Sequence, residues 1–167
     1  STEPNPTFTF ETNGTLAPTL RVVDATGRAG TASARIVVGN TPPLVSFASP
    51  PPGVPFDFGD VVDFEIAISD DTPVDCARVT VEMFLLHDEH GHSLSTAQGC
   101  TGSFPTVLDA GHAGAENMLL ALVATYTDAP TTPGAPPLTA QNFTILAPTP
   151  QAPPGGEGAE ALPEAAP

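Results

Sequence analysis

All four histidines of the chain, His87, His90, His92 and His112, fall in one stretch, and three of them are nearly contiguous. His87 is followed by Asp88-Glu89-His90-Gly91-His92. In an extended segment residues two apart project to the same side, so His90 and His92 can converge. Gly91 between them permits a tight turn of the backbone. The segment 108–114 contains His112 and can bring it to the same place, with Asp109 as an alternative donor. Three or four imidazole nitrogens at about 2.0–2.1 Å fill most of a Zn²⁺ shell, and imidazole also suits Cu²⁺. The spacing H-x-x-H-x-H is not the H-E-x-x-H of zinc proteases, because His87 and His90 are three apart rather than four. Glu89 could act as a general base beside a metal-bound water, but nothing in the sequence aims it there. The plain alternative is a set of surface-loop histidines bonded to backbone. A structural Zn²⁺ or Cu²⁺ site that ties loop to loop is the reading carried forward, with binding that weakens below about pH 6 as imidazole protonates.

The two cysteines decide how these histidines are held. Cys76 and Cys100 do not form a C-x-x-C pair, so redox catalysis is not indicated. Between Cys76 and His87 lies a strand of up to roughly 36 Å at about 3.3 Å per residue. If Cys100 bonds Cys76, the residues from 93 to 100 must run back along that strand. The bridge then fastens one end of a hairpin and the histidines sit at its far tip. Two buried free thiols are the alternative. The Thr-, Pro- and Gly-rich character and the absence of Lys favour the disulfide and an extracellular setting.

Charge excludes some partners. Nineteen acidic residues stand against four cations, Arg21, Arg28, Arg35 and Arg78, for a net charge of −15. Nucleic acid and anionic membranes both require a cationic patch, so neither is an expected partner. There is no apolar run near 18 residues to span a membrane. The chain opens Ser1-Thr2-Glu3-Pro4, so an export signal is expected upstream of it.

Three zones position this chemistry. Residues 1–40 contain alternating runs at 7–11, 20–24 and 34–38, two or three short strands that are too few to bury a core alone. Residues 44–146 are the complete domain. Residues 60–69 place Val62, Phe64, Ile66 and Ile68 on one face; residues 78–87 place Val79, Val81, Met83 and Leu85 inward. Strands are also expected at 44–47, 118–126 and 141–146, with little helix. Residues 147–167 are rich in Pro, Ala, Gly and Glu and are expected to be a disordered tail or linker. The expected fold is all-β: an immunoglobulin-like antiparallel β-sandwich preceded by a partial one.

Other chemistry is thinner. Asp70, Asp71 and Asp75 are candidate Ca²⁺ ligands, but they lack the twelve-residue EF-hand pattern, and turn capping is preferred. Ser93 or Ser95 with His92 and Asp88 makes a hydrolase only on paper, because no G-x-S-x-G elbow is present. With nine Phe, one Tyr and no Trp, a sugar-stacking platform is disfavoured.

Two resemblances add to this reading. The run from Thr9-Phe10-Glu11 through Leu20-Arg21-Val22-Val23-Asp24-Ala25-Thr26-Gly27-Arg28 resembles the second half of a PKD domain, an extracellular β-sandwich with a V-x-D-x-x-G turn before its last strand. Gly39-Asn40-Thr41-Pro42-Pro43, Phe58-Gly59-Asp60, Asp75-Cys76-Ala77-Arg78-Val79, Leu86 through His92, and Gly99-Cys100-Thr101-Gly102 resemble a second β-sandwich module. That module follows PKD domains in secreted bacterial proteins with sugar-dehydrogenase-like, ThuA-like or carbohydrate-binding domains. Where those relatives have an Asp-Gly turn, this chain reads Asp70-Asp71-Thr72-Pro73-Val74-Asp75. The resemblance implies a secreted, non-catalytic accessory module. Its partners would be neighbouring domains of the same polypeptide and polysaccharide. A metal-dependent enzyme or carbohydrate-binding module using His87, His90 and His92 is the alternative.

Overall fold

A computed structural model describes residues 2–107, 111 and 117–149. Strands β1 (Gly14–Leu16), β2 (Thr19–Val23), β3 (Ala29–Ser33) and β4 (Ile36–Val38) come first. Strands β5 (Leu44–Ser49), β6 (Pro55–Phe56) and β7 (Val61–Ser69) follow. A 3₁₀ turn at Cys76–Arg78 leads into β8 (Val79–His87), β9 (His90–Gln98), β10 (Thr101–Pro105), β11 (Leu119–Thr127) and β12 (Thr139–Pro148). Apart from Gly111, which is also in 3₁₀ conformation, that turn is the one helical element among the described residues.

The strands from β5 onward form a two-sheet, all-β sandwich. One sheet has the order β10-β7-β5 and the other β6-β12-β11-β8-β9. Every pairing is antiparallel except β6 with β12. Alternation decides which side chains meet between the sheets. Phe64 and Ile66 of β7, with Val45 and Phe104, face Val79, Val81, Met83 and Leu85 of β8 and Leu120, Leu122, Ala124 and Tyr126 of β11. Each fully buried large side chain contributes roughly 1.5–3 kcal/mol from leaving water, so the interlayer core is the dominant stabilising term.

Residues before β5 bury little. β1 pairs with β4 and β2 with β3 as two separate ribbons, and β2 and β3 are exposed throughout. The strand expected at 7–11 does not form. That segment has no ladder partner among the described residues, and its Phe8 and Phe10 pack edge to face at 5.0 Å instead. Alternation without a second strand leaves the backbone groups to water, and no ladder results.

Two polar anchors tie this segment to the sandwich. Asp128 is fully buried; its Oδ1 accepts from the Leu138 amide at 2.8 Å and its Oδ2 accepts from Asn40 Nδ2 at 2.8 Å. Asn13 Nδ2 donates to the Pro133 carbonyl at 2.9 Å. At the other end, β12 continues through Ala147 and Pro148, which the sequence reading assigned to the tail. These two residues pair with Pro55 and Phe56, and the Thr149 amide donates to the Phe56 carbonyl. The rest of the expected tail lies outside the described residues.

The turn between β2 and β3 carries a titratable clamp. Asp24 Oδ1 accepts from Thr26 Oγ1 and from the Thr26 and Arg28 amides, and its Oδ2 accepts from Arg28 Nε. The Thr26 hydroxyl, followed by the Arg28 amide, holds the carboxyl below the ordinary aspartate range. A carboxyl lowered in the folded state stabilises the turn above its unfolded pKa. That contribution is lost as pH falls through the lower folded value. Protection of the Thr26 and Arg28 amides, taken relative to intrinsic exchange at each pH, should therefore fall on acidification below about pH 4, with that of the β11 core amides unchanged. Equal loss of protection in both places would refute a local clamp.

Candidate metal centre

β8 and β9 form a long hairpin with His87 directly opposite His90 and Leu85 opposite His92. Opposed residues share a face of the sheet, so the three histidines continue the inward row Val79, Val81, Met83, Leu85. The core stripe thus ends in imidazoles at the hairpin tip.

This placement depends on one irregularity. From Thr80↔Gln98 to Met83↔Ser95 the ladder is regular; then Phe84 pairs with Ser93, and Leu94 is the extra residue. Continued without that bulge, the first register would set His87 opposite Gly91. His90 and His92 would then lie on the outer face, because a one-residue slip reverses every side chain. The bulge lets the base of β9 and its histidine end both present the required face.

His87 forms a triangle with the other two. Its ring is 4.2 Å from that of His90 and 5.2 Å from that of His92, and the last two rings are 4.7 Å apart. One ligand nitrogen from each lies within 4.8 Å of the others. Nitrogens on a tetrahedral ion sit about 3.3 Å apart when the bonds are about 2.0 Å, so modest side-chain rotation closes the set. His90 and His92 are exposed, whereas the His87 side chain is 9% exposed. The group can hold a metal ion. Among the described residues no other three potential ligand side chains gather in this way.

Each remaining candidate has a definite place. His112 and its alternative Asp109 lie outside the described residues. Asp70, Asp71 and Asp75 are not brought together. Asp70 accepts from the Asp71 amide and Thr72 Oγ1, and Asp75 caps the 3₁₀ turn by accepting from the Ala77 amide at 3.0 Å. Those are turn-capping roles for the Asp70 and Asp75 carboxylates. Cys76 and Cys100 form the disulfide, with Cα atoms 5.0 Å apart. Ser93 points away from the histidines and donates to Glu82 Oε1 at 2.5 Å. Gly91 serves a purpose other than the expected tight turn. It lies within β9 opposite Leu86, and a Cβ there would come within 2.7 Å of Leu86 Cδ2.

Two features are not legible in the sequence pattern. The Leu94 bulge leaves no compositional mark. The sequence offers Asp88 only as a hydrolase partner, yet its Oδ2 lies 3.1 Å from His87 Nδ1. An acid adjacent to a histidine at a strand end was the available signal. A shallow cleft of about 540 Å³ flanks the tip, with Leu86, Asn117 and Leu119 beside the histidines. A groove of about 630 Å³ near Phe8, Phe10 and Leu16 has no histidine or cysteine in its lining. Compared with protein-family models, curated proteins and solved structures, the chain matches none.

Proposed function

We propose that the chain is a non-catalytic extracellular accessory module that binds a transition metal at the tip of its β8–β9 hairpin. The observation that carries the metal reading is the convergence of His87, His90 and His92 on one sheet face. A disulfide and the lack of any described helix long and apolar enough to cross a membrane are compatible with a secreted setting. The resemblance to modules that follow PKD domains supports a spacer or docking role beside a carbohydrate-active neighbour. The metal is Zn²⁺ or Cu²⁺, since three neutral nitrogens suit these ions and offer little to Ca²⁺, which takes oxygen.

Calorimetric titration of the purified chain tests this. Cu²⁺ should bind more tightly than Zn²⁺, following the usual order for nitrogen sites, and Ca²⁺ should not compete. Ligand imidazoles must be neutral, so Zn²⁺ affinity should fall by about tenfold or more between about pH 7.5 and 5.5. Absence of binding heat for both ions near pH 7.5, with no metal in elemental analysis, would refute the site.

A further inference from the structure

We infer that Asp88 is the positioning residue of this centre: its carboxylate fixes the His87 ring so that Nε2, not Nδ1, is offered to the metal. The inference rests on the metal reading above and adds which nitrogen binds and what aims it. His87 Nδ1 lies 3.1 Å from Asp88 Oδ2, and Nε2 is buried. With its proton on Nδ1 the ring donates to the carboxylate, which leaves the Nε2 lone pair for the ion. Metal-bound histidines commonly donate their second nitrogen to a carboxylate, which sets the tautomer and strengthens the donor. Asp88 itself is 61% exposed on its side chain, so its charge stays hydrated.

Backbone geometry makes the assignment testable. Asp88-Glu89 is the two-residue connection between β8 and β9, and Asp88 adopts φ +50°. Glycine adopts this left-handed conformation without strain, and Asp and Asn are the other residues that visit it routinely. The turn therefore accepts Asp, Asn or Gly at this position, so the carboxylate can be varied without breaking the hairpin. The only two described non-glycine residues with positive φ, Asp88 and Asn117, both border the cleft beside the histidines.

The two roles of position 88, turn and acceptor, can thus be separated, and that makes the test decisive. Asp88→Gly relaxes the turn but removes the acceptor. Asp88→Asn keeps an acceptor oxygen and tolerates the left-handed conformation but removes the charge. With the full chain, Zn²⁺ affinity should fall by about tenfold in Asp88→Asn and by up to about 100-fold in Asp88→Gly, while the melting temperature of Asp88→Gly stays equal to or above that of the parent. In the metal-free protein, ¹⁵N spectra of the His87 ring should show the Nδ1–H tautomer, shifting toward Nε2–H in Asp88→Gly. An Nε2–H tautomer in the parent, or undiminished Zn²⁺ affinity in Asp88→Gly, overturns the inference. Failure of the parent to bind Zn²⁺ overturns the metal reading instead, and the tautomer measurement still decides the role of Asp88.

Discussion

Replacing His87 by alanine should abolish high-affinity Zn²⁺ and Cu²⁺ binding, lowering affinity by more than the roughly 10–100-fold expected from loss of an outer hydrogen-bond partner. The three rings contact one another, and His87 is the one of them that comes from a different strand. His90 and His92 lie on one strand two residues apart and, among the described residues, make a two-nitrogen site without it. Alanine at His90 or His92 removes one nitrogen each and should also weaken binding severely. Stability separates the three variants. His90 and His92 are exposed, so their replacement should change folding free energy by no more than about 0.5 kcal/mol. The His87 side chain is packed at the end of the core row, and His87→Ala should lower stability by roughly 1 kcal/mol. Calorimetry paired with urea unfolding checks both. Unchanged affinity in His87→Ala would place the metal elsewhere and dissolve the site.

The parts of the fold that could be read directly were those with one buried face. β7 and β8 alternate because one side meets the opposing sheet, and Val62 to Ile68 and Val79 to Leu85 carry that demand in their residue types. β9 is the edge strand of its sheet and mostly exposed, so Ser93, Thr96 and Gln98 satisfy it without an apolar rhythm. Its course could be argued only through the disulfide, which requires the chain to return from the tip to Cys100. The expected strand at 7–11 shows the converse, since alternation was present and a pairing partner was not. The candidate site was legible in part for the same reason. Histidine spacing signals convergence, but a bulge is set by the count of residues between two faces that must both be right. No residue type announces that count.

Removing the Cys76–Cys100 bridge, by reduction or by Cys76→Ser with Cys100→Ser, should destabilise the sandwich by about 3 kcal/mol without disarming the histidines. The bond closes a loop of about 25 residues, and releasing it returns that loop's conformational freedom to the unfolded chain. For a domain of this size such a loss corresponds to a fall in melting temperature of roughly 10 °C. The staple joins the 3₁₀ turn that enters β8 to the corner where the chain leaves β9 for β10. Backbone bonds hold the same corner, from the Gly99 amide to the Val79 carbonyl and from the Ile66 amide to the Cys100 carbonyl. Serine at position 100 keeps the second of these. The histidines lie at the far end of β8, nine residues along, about 27–30 Å away at 3.3 Å per residue. Between base and tip, the ladder and the buried row from Val79 to Leu85 fix the register. Zn²⁺ affinity of the folded reduced protein should therefore stay within about threefold of the parent, while its unfolding midpoint in urea drops. A large loss of affinity with the β11 core still folded would mean that the tip is organised by the covalent staple rather than by the ladder, and the bulge would then lose its role in aligning the rings.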